Sequence, residues 1–191
     1  TTVSLAFMHQ TFTFGVSLWI KLNSTTTRQV MCGNTNTSSE RGVFMCYEYG
    51  AGVGTNSLRV FLGSGTAVVR DVRSVNSVIT DTNWHHVVLS ANGTGSASFW
   101  AVDGVVLANA STTEGTLGTG NATRNWSWGN DTTSATVDNI LWFGGRQDSM
   151  LIRNRPFTAN EISALYQLGR GGLGRLLTQR AQRRVFRTAQ G

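Results

Sequence analysis

The feature that most constrains this chain is an alternation of apolar and polar positions near its beginning. The apolar set is Phe12, Phe14, Val16, Leu18, Ile20 and Leu22, and the positions between them are Thr13, Gly15, Ser17, Trp19 and Lys21. A period of two predicts a strand that turns one face to a core. Such a strand needs hydrogen-bonded neighbours and a second layer over its apolar face, so the chain must build at least one sheet of a layered β structure.

Further strand-like runs follow along most of the chain. Runs rich in β-branched and aromatic residues predict strands over 29–33, 42–49, 58–62, 66–73, 84–90, 96–102, 105–107, 137–143 and 150–153. Asp103-Gly104 lies between two of these runs. It indicates a two-residue hairpin turn, which needs positive φ angles. The polar, glycine-rich stretch 110–135 shows no alternation, so we expect a long loop there.

One short helix is predicted close to the C-terminus. Thr158 and Glu161 have the spacing of a capping box directly after Pro156. Apolar residues then recur at helical spacing, at Ile162, Leu165 and Leu168, and Gly169 is expected to end the helix. Many short strands with one late helix predict an all-β fold: a two-sheet antiparallel sandwich of the jelly-roll, lectin-like type.

The charges divide the chain into two parts. It has 191 residues, 16 basic and 10 acidic, with a net charge of +6, but no acid lies beyond Glu161. We therefore predict a neutral sandwich over 1–169 and a Gly/Arg-rich basic arm over 170–191. The arm is expected to dock on a partner protein through Arg170, Arg175, Leu176, Leu177, Arg180, Arg183, Arg184, Phe186 and Arg187. A solvated arm and a nucleic-acid-binding arm remain alternatives.

The remaining composition gives expectations about compartment and redox state. The apolar runs are too short for a membrane-spanning helix. Residues 1–10 show neither the basic region nor the long apolar region of a signal peptide. The two cysteines, Cys32 and Cys46, are expected to be buried thiols, although a disulfide between them cannot be decided from spacing.

An aromatic pair in the polar stretch is the best candidate for a sugar site. Trp126 and Trp128 would share one face of an extended backbone, and aromatic faces stack on sugar rings. The neighbouring Asn125 and Asn130 offer amides for sugar hydroxyls. The alternative is that both indoles pack against the sandwich or a neighbouring subunit.

No pattern in the sequence points to catalysis. Glycoside hydrolysis uses two carboxylates that flank the scissile bond, and no two acids lie at the i, i+2 spacing that puts them on one strand face in an E-x-D-x-E-like run. A nucleophile elbow, a phosphate-binding loop and a zinc-protease motif are also missing from the sequence. We therefore expect a protein that is not an enzyme.

Five segments together resemble the laminin-G-like, concanavalin A-like lectin domains. They are 12–21 (FTFGVSLWIK), 83–89 (NWHHVVL), 100–105 (WAVDGV), 143–146 (FGGR) and 154–162 (NRPFTANEI), in the family's order and spacing. The resemblance frames residues 10–168. It implies the sandwich fold, but this fold carries lectins, adhesins, glycosidases and virion proteins alike.

The resemblance also implies a cofactor and a function. Some family members bind calcium through acids near the closing strand, where this chain offers Asp148 alone, so we expect no cofactor. Domains of this kind occur in bacteriophage particles. This implies a virion-surface subunit, such as a capsid decoration protein or fibre, that is homo-oligomeric and contacts a partner such as the major capsid protein. The alternative is an extracellular carbohydrate-binding module that recognises glycans through the aromatic loop.

Overall fold

A computed structural model describes residues 5–35, 41–50, 54–120, 122, 126–129 and 143–171. The described elements are α1 (Ala6–Gln10), β1 (Thr13–Lys21), β2 (Gln29–Gly33), β3 (Arg41–Glu48), β4 (Ser57–Ser64), β5 (Val68–Ser74), β6 (Trp84–Asn92), β7 (Thr94–Val102), β8 (Val105–Val106), β9 (Asn109–Glu114), β10 (Ser127–Trp128), β11 (Arg146–Arg153) and a helix over 159–171, here α2. Among them, neither helix is long and apolar enough to cross a membrane.

The strands form two antiparallel sheets, which confirms the predicted all-β sandwich. The five-stranded sheet has the order β11-β1-β6-β7-β8, and the six-stranded sheet has the order β10-β2-β3-β4-β5-β9. The prediction that β1 turns one face to the core is confirmed, since the apolar set from Phe12 to Leu22 lies between the two sheets. Asp103 and Gly104 make the β7–β8 turn with φ angles of 51° and 83°.

Side chains from both sheets interlock in this core. Trp100 of β7 is fully buried there, and its Nε1–H donates to the carbonyl oxygen of Val72 on the facing sheet at 3.0 Å. An indole N–H that is buried without a partner would cost free energy. The bond therefore lets a large side chain fill the core and ties β7 to β5.

Helix α2 covers the outer face of the five-stranded sheet. Its capping box is confirmed, because Glu161 N–H donates to Thr158 Oγ1 at 3.3 Å and Thr158 N–H donates to Glu161 Oε2 at 3.0 Å. The prediction that Gly169 ends the helix is wrong, since α2 continues to residue 171. Gly169 instead permits close packing, because a Cβ at this position would overlap the Trp19 indole.

Three elements differ from the sequence predictions. The short helix α1 was not predicted, and its Met8 packs into the core. The stretch 110–135 is not one long loop, since it contains most of β9 as well as β10. Every residue of β9 is at least partly exposed, so this edge strand lacks the apolar alternation by which strands are recognised. The predicted strand 137–143 lies outside the described residues except for Phe143.

Both cysteines are free and buried, as expected. Cys32 lies in the core between the sheets, whereas Cys46 lies in a small cluster of Val30, Phe44 and Phe61 outside it. Neighbouring strands β2 and β3 thus turn the two thiols to opposite faces, which prevents a disulfide. Burial raises the pKa of both thiols.

Candidate functional site

The two sheets approach each other at one edge of the sandwich, where β10 and β2 lie near the start of β11. Gly129 N–H and Gln147 Nε2 both donate to the carbonyl oxygen of Met31, each at 2.8 Å. Phe143 N–H in turn donates to Gly129 O at 2.7 Å. These bonds fix the position of Trp128, Gly129, Phe143 and Gln147, which we call the rim.

The predicted tryptophan pair is divided by this arrangement. Trp126 is partly buried and packs against the core, which corresponds to the packing alternative. Trp128 lies opposite Cys32 in the β10–β2 ladder and keeps 49% of its surface exposed. Of the two indoles, Trp128 is therefore the one presented to solvent.

The glycine after Trp128 is part of the rim's geometry. Gly129 has a φ of 62°, in the left-handed region where residues other than glycine are strained. A Cβ there would lie 3.3 Å from Phe143 Cβ and 3.6 Å from Gln147 Oε1. The turn thus brings an aromatic side chain and an amide oxygen close to the residue that follows Trp128.

The other predicted site residues fall into two groups. Asn125, Asn130 and the arm residues Arg175, Leu176, Leu177, Arg180, Arg183, Arg184, Phe186 and Arg187 lie outside the described residues. Arg170 is in α2, and Asp148 is an exposed residue of β11 whose Oδ1 accepts a hydrogen bond from Ser149 Oγ at 3.1 Å. No group of three or more His, Cys, Asp or Glu side chains in the described part of the chain is placed to hold a metal ion.

A buried serine–histidine contact lies beneath α2. Ser17 Oγ and His86 Nε2 are 2.8 Å apart, and Trp19 and Tyr166 stack beside the imidazole. Burial lowers the pKa of His86 to about 4. Because Ser17 and His86 are 3% and 1% exposed, a substrate cannot reach them, and the contact serves to seat the helix.

The adjacent His85 points away from this contact and bonds two carboxylates. Its Nδ1 lies 2.8 Å from Asp103 Oδ2 and its Nε2 lies 3.1 Å from Asp81 Oδ1. The bond to Asp103 raises the pKa of His85. Since Asp103 Oδ1 also accepts the backbone N–H of His86, the group braces the β7–β8 turn against β6.

The outer face of the six-stranded sheet carries an ion network that the sequence analysis missed. Glu48 is fully buried and pairs with Arg28 Nε at 2.7 Å and with Arg59 at 3.3 Å. Arg59 also pairs with Asp71 at 2.7 Å, and Arg73 joins the same carboxylate at 3.2 Å. The sequence signal that could have predicted this network is the alternation of charged and apolar residues along β3, β4 and β5. The carboxylates of Glu48 and Asp71 are thus paired within the network, and each compensates cations on the same face of the sheet.

These features together define a class of protein: a lectin-like jelly roll with an aromatic side chain presented at the edge of its sandwich. A family model described as the concanavalin A-like lectin/glucanases superfamily matches residues 1–163. The chain belongs to this family. No curated protein matches it.

Solved structures with the same fold include several binding domains. The carbohydrate-binding module (CBM40) of the Ruminococcus gnavus IT-sialidase is 14% identical, with a TM-score of 0.59 over 84% of this chain and 86% of that chain. Domain 4 of AbnA, an extracellular arabinanase from Geobacillus stearothermophilus in complex with arabinotriose, is 17% identical, with a TM-score of 0.57 over 84% and 69%. The heptameric SAP-like pentraxin of Limulus polyphemus is 14% identical, with a TM-score of 0.53 over 82% and 70%. At these identities the likeness shows the fold alone.

Proposed function

We propose that this protein is a non-catalytic carbohydrate-binding module whose rim stacks a sugar ring on Trp128. The observation that carries the proposal is the half-exposed indole, held in place by an edge strand that pairs with β2. A large aromatic face presented at fixed geometry loses little conformational entropy on binding. Gln147, whose Nε2 is held by Met31 O, offers its Oε1 as an acceptor for a hydroxyl group.

Structural neighbours agree with this choice of ligand class. The sialidase module has been solved with α2,3 sialyllactose, and the arabinanase domain with arabinotriose. Two domains that share this fold have thus been solved with a glycan, which supports a glycan as the ligand, and no described feature of the chain favours hydrolysis.

The test is Trp128→Ala, measured on a glycan array and by calorimetry with the glycan that binds best. We expect at least a tenfold loss of affinity with little change in thermal stability, since the indole is half exposed and is not part of the core. Val105→Ala is the matched control, because Val105 is 63% exposed on β8, at the opposite edge of the five-stranded sheet. Unchanged binding by the Trp128 variant would refute the proposal.

A second function is favoured by the separation of charge along the sequence. We propose that the basic arm docks the sandwich into a larger assembly, in which the protein is a structural subunit displayed on a virion surface. Six arginines without an acid over 170–191 suit an acidic groove on a partner protein. Glycan binding and assembly are compatible, because the rim and the arm are separate parts of the chain.

A further inference from the structure

One buried side chain near the start of the chain lacks a hydrogen-bond partner. His9, in helix α1, is 7% exposed, and neither of its ring nitrogens bonds any residue that the structure describes. Burying a polar group without a partner costs free energy, and burying a charged group costs more. The site therefore accepts the neutral imidazole at a cost and opposes its protonation.

The groups around His9 also disfavour a positive charge. The imidazole lines a small pocket with the start of β3, the end of β4 and residues 118 and 120, and Arg41 is the charged residue in that lining. The Arg41 guanidinium lies against Gly120, where a Cβ would overlap its Nη1, and its Nε donates to Ser64 O at 2.9 Å. Burial first, and then the charge of Arg41, lower the pKa of His9 below its usual value of 6.5. The Gly120 backbone acts in the other sense, but it makes no hydrogen bond to the ring and does not outweigh burial.

Among the described residues, the other elements packed around His9 bring no carboxylate to it. From β5, Val69 lines the pocket, while the next residue, Arg70, is directed to Glu114, whose Oε2 lies 3.2 Å from its Nε. Strand β1, which also contacts α1, is uncharged up to its last residue. A proton on the docked imidazole would thus face the Arg41 guanidinium and no carboxylate of these elements.

Helix α1 is held to the sandwich by a small number of groups. It has five residues, and its N-terminus has no side-chain cap. Met8 is 1% exposed and anchors the helix in the core, and Gln10 Nε2 donates to Thr119 O at 3.2 Å. A helix this short is not stable on its own, so α1 exists only while it is docked.

We propose that α1 is an acid-sensitive element of the fold: protonation of His9 releases residues 5–11 from the sandwich while both sheets stay folded. Release carries the imidazolium into water and away from Arg41, so the penalty for a buried charge falls on the docking of α1. Docking is complete well above pH 6.5, where His9 is neutral whether docked or released, and it weakens as the pH falls below that value. Departure of Met8 uncovers the part of the core that it fills, so acid exposes an apolar surface there. The inference goes beyond the proposed glycan binding and does not depend on it.

Hydrogen exchange read by mass spectrometry tests this on the full-length protein between pH 7.5 and 4.5, with rates corrected for the intrinsic effect of pH. Protection of residues 6–11 should fall at least about tenfold across this range, while protection of β1 and β6 should persist. The NMR signal of the Met8 methyl group should move over the same range, from a position shifted by the core to that of an exposed methionine.

Two variants and a control assign the effect to this contact. His9→Gln keeps a side chain that stays neutral, so α1 should remain protected at pH 4.5. Arg41→Gln removes the repelling charge, so the loss of protection should become smaller. Arg146→Gln is the matched control, because this exposed arginine lies opposite the last residue of β1, at the end of that strand remote from α1. Its α1 should lose protection as in the wild type.

Three results would overturn the inference. They are equal protection of α1 at both ends of the pH range, an undiminished loss of protection in His9→Gln, and a simultaneous loss in α1 and both sheets, which marks global unfolding. Should His9→Gln fail to dock α1 at pH 7.5, NMR titration of the wild type replaces it. Titration of His9 near 6.5 with Met8 still buried would equally contradict the inference.

Discussion

At the scale of single residues, the pKa values of the two neighbouring histidines are shifted in opposite directions, that of His86 by burial and that of His85 by hydrogen bonds to carboxylates. His86 is enclosed by Ser17, Trp19 and Tyr166 and has a pKa of about 4, whereas hydrogen bonds to Asp103 and Asp81 raise the pKa of His85. The alternation of a strand places the two rings on opposite faces, which the sequence predicts. The sequence does not predict their pKa values, because these depend on the helix that covers one face and on the turn that approaches the other.

This burial predicts a stability that falls in mild acid. In the unfolded chain His86 takes up a proton near its ordinary pKa of 6.5, while the folded protein resists protonation down to about 4. The contribution of the His86 pKa shift to the unfolding free energy is therefore fully present above pH 6.5. It is lost as the pH falls towards 4, which lowers the unfolding free energy by up to about 3 kcal/mol. His85 acts in the opposite sense, since its stabilisation is present in acid and is lost as the pH rises through its raised pKa.

Urea unfolding between pH 4 and 7.5 measures the net effect, and NMR titration of the imidazole signals assigns it. His86 should titrate well below 6, and the pH dependence of the unfolding free energy should be reduced in His86→Gln. A normal titration of His86 near 6.5 in the folded wild-type protein would contradict this account, whether or not the variant folds.

The environment of Trp128 could be predicted only in part from the sequence. The sequence identifies an aromatic pair within a polar stretch, but the pair's two environments depend on the β10–β2 ladder and on Gly129. Lys21 and Arg146 lie 125 positions apart, and only the strand register brings them together. No local pattern in the sequence marks that pairing in the register.

At the scale of elements, long alternating segments are predicted well and polar edges are not. The strand β2 has the bounds expected for it, and β1 differs from its prediction only at the ends, because their apolar residues face a core. The edge strands β9 and β10 are held by hydrogen bonds to a neighbour instead of by an apolar face. Such pairing leaves no periodic signal in the sequence.

The close approach of α2 to β1 gives the prediction at this scale. In Gly169→Ala the new methyl group overlaps the Trp19 indole, so the helix must shift, at a cost of about 1–3 kcal/mol in unfolding free energy. Gly171→Ala is the matched control, because no atom of the described residues lies within 4 Å of a Cβ at that helical position. There the change should be stabilising, by about 0.5–1 kcal/mol, since alanine favours the helix.

Chemical denaturation of the two variants and the wild type gives the comparison. The expected result is a difference in sign between two identical substitutions in one helix, two residues apart. If both variants were stabilised, helix propensity would outweigh packing at Gly169, and the contact with Trp19 would not be what requires glycine there.

At the scale of the whole molecule, the chain combines a neutral sandwich with a positively charged end. The family match ends at residue 163, so we expect the sandwich to fold without the arm. The sequence predicts this division from charge alone, but it cannot identify a partner for the arm, because a partner's surface leaves no trace in the chain that binds it.

Removal of residues 172–191 tests that division. The truncated protein should unfold cooperatively with a melting temperature close to that of the full chain, because the core and α2 up to residue 171 are retained. Its binding to the glycan that the full chain binds best should also persist, since Trp128 and Gln147 are present. Assembly with an acidic protein partner should be lost, because five of the six arginines of the arm have been removed.

A charge-neutral control separates the arm's charge from its length. Replacing Arg175, Arg180, Arg183, Arg184 and Arg187 by glutamine keeps every residue of the arm and removes its charge. If docking is electrostatic, this variant should fail to assemble just as the truncated one does, and assembly of the wild type should weaken with rising salt. Assembly that survives the glutamine substitutions but not the truncation would assign docking to Leu176, Leu177 and Phe186. A truncated chain that no longer folds would show that the arm belongs to the sandwich, and the two-part description would then have to be abandoned.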